Sequence, residues 1–114
     1  MAGDLSFWKY KKGVVENDDE VYVRLSSGDF LENVEVLPTN NIIKDINKKF
    51  YGWNWIDENH LEFDDQVMEL FITDQFVRVD CYNVTYENMN LIIDIMAKYE
   101  CPLYDSTISV RFEL

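Results

Sequence analysis

Few residues in this chain are of a type that does acid–base or nucleophilic chemistry. His60 is the single histidine, set among Glu58, Asn59, Leu61 and Glu62. A neutral imidazole beside a carboxylate is the one general-base pattern it could supply. Cys81 and Cys101 could join it as a Cys–His dyad, since distance along the chain does not fix distance in space. Each cysteine lies in a patterned apolar segment, however, where burial as a reduced thiol accounts for it. Paired carboxylates stand at Asp57-Glu58 and at Asp64-Asp65. Such pairs suit acid–base work, but a solvated loop explains them at least as well. The sequence holds no Asp-x-Asp-x-Asp-Gly calcium loop, His-Glu-x-x-His zinc helix, glycine-rich phosphate loop or Gly-x-Ser-x-Gly elbow. One histidine and two distant cysteines argue against a structural zinc site, so no cofactor is expected, and Asp64-Asp65 leaves room only for a weak cation site.

Recognition suits these residue types better than catalysis does. Between Lys49 and Arg78 there is no lysine or arginine, yet Asp57, Glu58, Glu62, Asp64, Asp65, Glu69 and Asp74 fall there together with Trp53, Trp55 and Phe63. Aromatics anchor an interface and carboxylates steer a basic partner toward it. Trp53 and Trp55 flank Asn54, so an extended backbone points both to one face, with Tyr51 joining them two residues earlier. The expected partner-binding set is Trp53, Trp55, Asp57, Glu58, Asp64 and Asp65. The competing expectation is that both indoles cover the core where a helix meets a sheet.

The formal net charge of −12 and a pI near 4.2 repel nucleic acid and anionic membrane alike, leaving basic proteins and metal cations as partners, or solubility alone as the reason. A hydrophobic fraction of 47% and an aromatic fraction of 15% are too high for intrinsic disorder. At 114 residues the chain fits a single domain, residues 1–114. Met1 to Ser6 carries no basic region followed by an apolar run, and no window approaches the length of a membrane helix, so a cytoplasmic location is expected. Asn83-Val84-Thr85 matches a glycosylation sequon; in such a location its threonine serves better as a helix cap.

The elements that must position these groups follow from periodicity. Phe7 to Val15 alternates loosely and carries lysines, which suits an edge strand. Glu16 to Glu20 reads as an acidic loop. Val21, Val23 and Leu25 alternate up to a Ser26-Ser27-Gly28-Asp29 turn, which predicts a hairpin returning through Phe30 to Val36. Thr39 or Asn40 can cap a helix with Ile42, Ile43, Ile46 and Phe50 at helical spacing and Lys44, Lys48 and Lys49 on its polar face. Gly52 stops it. Met68, Leu70 and Ile72, then Val77, Val79 and Cys81, alternate on either side of Asp74-Gln75 as an antiparallel pair. Thr85 caps a second helix through Tyr99, with Met89, Ile92, Ile93 and Met96 on one stripe. Pro102 ends it, and Ile108, Val110 and Phe112 alternate with Ser109, Arg111 and Glu113 in a terminal strand. The predicted fold is α+β: a single mixed, mostly antiparallel sheet with two α-helices packed on one face.

The run Tyr99-Glu100-Cys101-Pro102-Leu103-Tyr104-Asp105 resembles the late helix and Leu-Tyr-Asp-like turn of small α+β immunity proteins from bacterial toxin–immunity systems. The resemblance covers the final third of the chain, and no binding residue carries over from it. It implies an antidote that binds a cognate toxin domain. The expected function is therefore a non-enzymatic acidic binding protein that neutralises a basic toxin or nuclease by covering its active site. The alternatives are a structural or assembly protein forming a homo-oligomer, and a small enzyme using His60 or a carboxylate pair.

Overall fold

The computed structural model describes residues 2–112. The chain opens on strand β1 (Ala2–Phe7), earlier than the edge strand expected from Phe7 onward and in the interior of the sheet. Leu5 and Phe7 are buried against strand partners Val79 and Val77. The lysines at 9, 11 and 12 fall beyond the strand, where Tyr10 makes only an isolated bridge to Val34.

Residues Val21 to Leu25 form a helix and not the expected strand: α1 (Asp18–Ser26). The Asn17 side chain accepts a hydrogen bond from the Glu20 amide at 3.0 Å, and Asp18, Asp19 and Glu20 occupy the first turn, where carboxylates favour the helix dipole. The acidic run expected as a loop is thus the start of a helix. Val21 and Leu25, four residues apart, face inward while Val23 is 60% exposed. Gly28 takes φ +85 just past the helix, as glycine does at a helix C-terminus. Phe30 to Val36 returns without forming a strand and is paired at the Tyr10–Val34 bridge, beside which Lys11 N donates to Asn33 O at 3.0 Å and Glu35 N to Lys9 O at 2.7 Å. It is also held by the buried Gln75 amide, whose Oε1 accepts from Leu31 N at 2.8 Å and whose Nε2 donates to Leu31 O at 2.6 Å and Val34 O at 2.9 Å.

Helix α2 (Thr39–Lys49) buries Ile42 and Ile46 and is followed by buried Phe50. Its N-cap position is Pro38, with no side-chain cap, so neither Thr39 nor Asn40 plays that part. Four strands follow: β2 (Asn54–Asp57), β3 (His60–Phe63), β4 (Gln66–Ile72) and β5 (Val77–Tyr82). The β4–β5 hairpin matches its alternation, with Met68, Leu70 and Ile72 opposite Cys81, Val79 and Val77. Helix α3 (Tyr86–Lys98) is capped by Thr85, whose side chain accepts from Asn88 N at 3.2 Å. Glu100 at φ +61 and Pro102 then turn the chain into β6 (Leu103–Asp105) and β7 (Val110–Arg111). Of the single terminal strand expected over 108–113, only Val110 and Arg111 form a strand; Ile108 lies in the turn before it, and β6 stands ahead of that turn. Glu113 lies outside the described residues.

All pairings are antiparallel and build one seven-stranded sheet in the order β2-β3-β4-β5-β1-β6-β7. The larger core joins Ile42, Ile46, Ile92, Ile95 and Met96 of α2 and α3 to Phe7, Leu61, Met68, Val79 and Cys81 of the sheet. A smaller core gathers Val21 and Leu25 of α1 with Trp8, Phe76 and Tyr104, and Phe71 packs against it. Tyr104 pairs with Ser6, and Phe71 with Arg78, so both project to the face opposite Phe7 and Val77. The α+β class stands. The expectation of two helices on one face falls short by one helix, because α1 belongs to the smaller core.

Candidate functional site

The base-free segment folds into the turn after α2 and three successive strands, so its residues are positioned by a rigid sheet. Trp53 and Trp55 are both half-buried against the larger core. Trp53 meets Phe50 edge-on at 5.3 Å and lies tilted on Phe63 at 5.8 Å, and Trp55 Nε1 donates to Phe50 O at 3.1 Å. Tyr51 does not join them: it is 84% exposed. The indoles therefore cover the core at the mouth of α2 while keeping part of their surface in water.

The four candidate carboxylates form two separate pairs. Asp57 ends β2 and Glu58 stands in the β2–β3 turn, where Asp57 Oδ1 accepts from Asn59 N at 2.7 Å. Asp64 and Asp65 occupy the β3–β4 turn, with Asp64 at φ +53. All four are exposed. The four residues of β3 separate the pairs by roughly 13 Å, from the rise of an extended strand. The six expected residues are thus not one contiguous patch.

The Asp57 end, and not the Asp64-Asp65 end, joins a row that no local pattern contains. The sheet register, shifted between Trp55 and Asp57, sets Asp57 opposite His60, His60 opposite Glu69, Glu69 opposite Asp80, and Asp80 opposite Asp4. Directly opposite residues share a face, so one rung of five strands carries four carboxylates and the histidine on the side away from α2 and α3. His60 Nε2 lies 2.8 Å from Glu62 Oε2 on the same strand and face. Arg78 supplies the facing cation, its Nε 3.2 Å from Asp80 Oδ1 and its guanidinium 4.9 Å from the Phe71 ring centroid. Burial holds the Asp80 carboxyl above its ordinary range; Asp4 and Glu69 push it the same way, and Arg78 pulls it back. Asp4 also accepts from Tyr22 Oη at 2.6 Å and from Ser106 Oγ.

Asp4, Glu69 and Asp80 were outside the expected set. The Glu69–Asp80 pairing was within reach of the sequence, since alternation places both opposite the buried residues and the short hairpin turn fixes the register. Asp4 was not, because nothing local says that β1 lies against β5.

The same register separates the catalytic candidates. Cys81 pairs with Met68 in the larger core, on the face opposite His60, and Cys101 precedes β6, four strands from β3 in the sheet order. Burial pushes the Cys81 thiol up to about 12 and the Cys101 thiol up to about 11, the reverse of what a nucleophile needs. Among the described residues no group of three or more His, Cys, Asp or Glu could hold a metal ion. No helix there is long and apolar enough to cross a membrane. Leu103-Tyr104-Asp105 is strand β6 itself and not the turn before it, with Tyr104 buried in the smaller core. No family model, curated protein or solved structure matches the chain, so the likeness to immunity proteins rests on residues 99–105 alone.

Proposed function

We propose that this chain is a non-enzymatic acidic binding protein for a basic protein partner, and that it serves as an immunity-type antidote covering the cationic active site of a nuclease-like toxin. The observation that carries the reading is the row Asp57, Glu69, Asp80 and Asp4 on one sheet face. Like charges directly opposite one another on a sheet are destabilising. A fold that keeps carboxylates abreast in this way carries a cost that a cationic partner relieves. Tyr82 lies on the same face, 43% exposed, one alternation from Asp80, and gives the charged row an aromatic neighbour of the kind that slows dissociation. Complementary charge raises the encounter rate with a basic surface and lets the protein compete with nucleic acid for it.

The test is co-expression with the products of the neighbouring genes, one at a time, scored as rescue of growth and then as affinity of the purified pair. The reading expects the wild-type chain to protect the cells. Asp57→Lys with Glu69→Lys, both at exposed positions, is expected to weaken binding by tenfold or more, on the order of 1.4 kcal/mol, with the fold retained by circular dichroism. Unchanged affinity would remove the sheet face from the account.

A further inference from the structure

A cleft of about 300 Å³ opens between α2 and the tips of the β2–β3 and β4–β5 hairpins. Trp55 contributes one wall, Ile43 and Ile72 contribute apolar surface, and Glu58 and Asp74 bring carboxylates to the hairpin tips. Ile43 is 37% exposed although it stands in an otherwise regular helical stripe. The helix presents this apolar residue to the cleft, outside the larger core. The carboxylates of Glu58 and Asp74 accept no hydrogen bond or ion pair among the described residues, and both residues are exposed. An aromatic wall, an aliphatic surface and two free carboxylates complement one chemical group well. A guanidinium stacks its plane on an indole, lays its methylene stem on aliphatic carbon and satisfies carboxylates with its forked donors.

We infer that this cleft is the socket for an arginine side chain of the basic partner. The inference rests on the proposed function for its partner and adds the place where a single residue anchors. Thr39, in the first turn of α2, also lines the cleft. The helix N-terminus brings about half a positive charge against two full negative ones, so the sign of the site remains acidic. Arginine is preferred over lysine because the wall is an indole and because Glu58 and Asp74 come from two different hairpin tips, which a fork reaches and a point charge does not. The socket lies toward the α2 side of the sheet and the acidic row on the other. A partner using both must straddle the end of the sheet where the two hairpins turn.

The experiment titrates the full chain, labelled with ¹⁵N, with N-acetyl-arginine amide and separately with its neutral isostere N-acetyl-citrulline amide. The expected result is a saturable shift of the Trp55 indole N–H and of the Ile43 and Glu58 amides with the arginine compound. The citrulline compound is expected to bind more weakly, and Glu58→Gln with Asp74→Asn to weaken the arginine compound by about fivefold, as for two exposed charges. Equal binding of the two compounds, shifts spread over all acidic surfaces, or unchanged affinity in the double variant would each overturn the socket. Failure of the broader reading is separately visible. If the socket is wrong and the reading right, the basic partner still binds with charge-reversal sensitivity at Asp57 and Glu69; if the reading is wrong, no such binding occurs whatever the amide titration gives.

Discussion

Glu69, Asp80 and Asp4 stand abreast on three neighbouring strands, and the middle carboxyl bears the consequence. Its raised proton affinity in the fold means that ionised Asp80 opposes folding. That cost is fully present at neutral pH and fades as pH falls through the raised value toward 3.8, the ordinary one. Glu69→Gln removes one of the two like charges. It should stabilise the protein by a few tenths of a kcal/mol at pH 7, roughly 0.2–1, with the gain shrinking as pH falls, and should bring the Asp80 titration down. Urea unfolding at two pH values and a carboxyl NMR titration check both statements; an unmoved Asp80 midpoint contradicts them. Several other acids are committed to structure: Asp18 accepts from Tyr10 Oη at 2.6 Å, Asp19 from Tyr104 Oη and Asp45 from Tyr99 Oη. The net charge therefore overstates the carboxylate available to a partner. Cys81 and Cys101, with their buried and raised thiols, should resist alkylation at pH 8 until the protein is unfolded. Fast labelling of the native chain would contradict that burial.

At the scale of elements, the amphipathic helices α2 and α3 and the β4–β5 hairpin were legible because each has one periodicity that no other element satisfies. Helix α1 was not. Val21 and Leu25 satisfy both a two-residue and a four-residue repeat, and only Asn17 as a cap with three acids behind it separates the two. Strand β1 was hidden by Phe7 and Trp8, consecutive aromatics that enter different cores. The carboxylate pairs of the candidate site were readable as turns, whereas the row across the sheet was not, since strand order is a property of the whole fold. The segment 30–36 is tied to residues 9–11 by the Tyr10–Val34 bridge and its flanking backbone hydrogen bonds, and from within by Gln75, which is 1% exposed and bonds three backbone groups of Leu31 and Val34. Gln75→Ala takes this partner from Leu31 N and Val34 O, while Leu31 O keeps the Val34 amide, and should cost about 2–3 kcal/mol, with faster amide exchange at Leu31. A loss below half a kcal/mol would show that water replaces the amide.

At the scale of the molecule, charge is arranged and not merely accumulated. Lys48, Lys49 and Lys98 line a groove between α2 and α3 together with Asp45 and Asp94, Lys98 being paired with Asp45 at 3.1 Å, while the acidic row crosses the opposite face of the sheet. A net charge of −12 opposes self-association at low salt, so the chain should sediment as a 13.6 kDa monomer at micromolar concentration. A salt-independent oligomer would favour assembly through the exposed edge strand β2 instead. The proposed attraction of a basic protein to the acidic sheet face is read in the association rate constant of the purified pair, measured by stopped flow as ionic strength rises. A fall of about tenfold or more from low to moderate salt is expected, largely abolished by Asp57→Lys with Glu69→Lys; a rate indifferent to both salt and these substitutions would rule that attraction out.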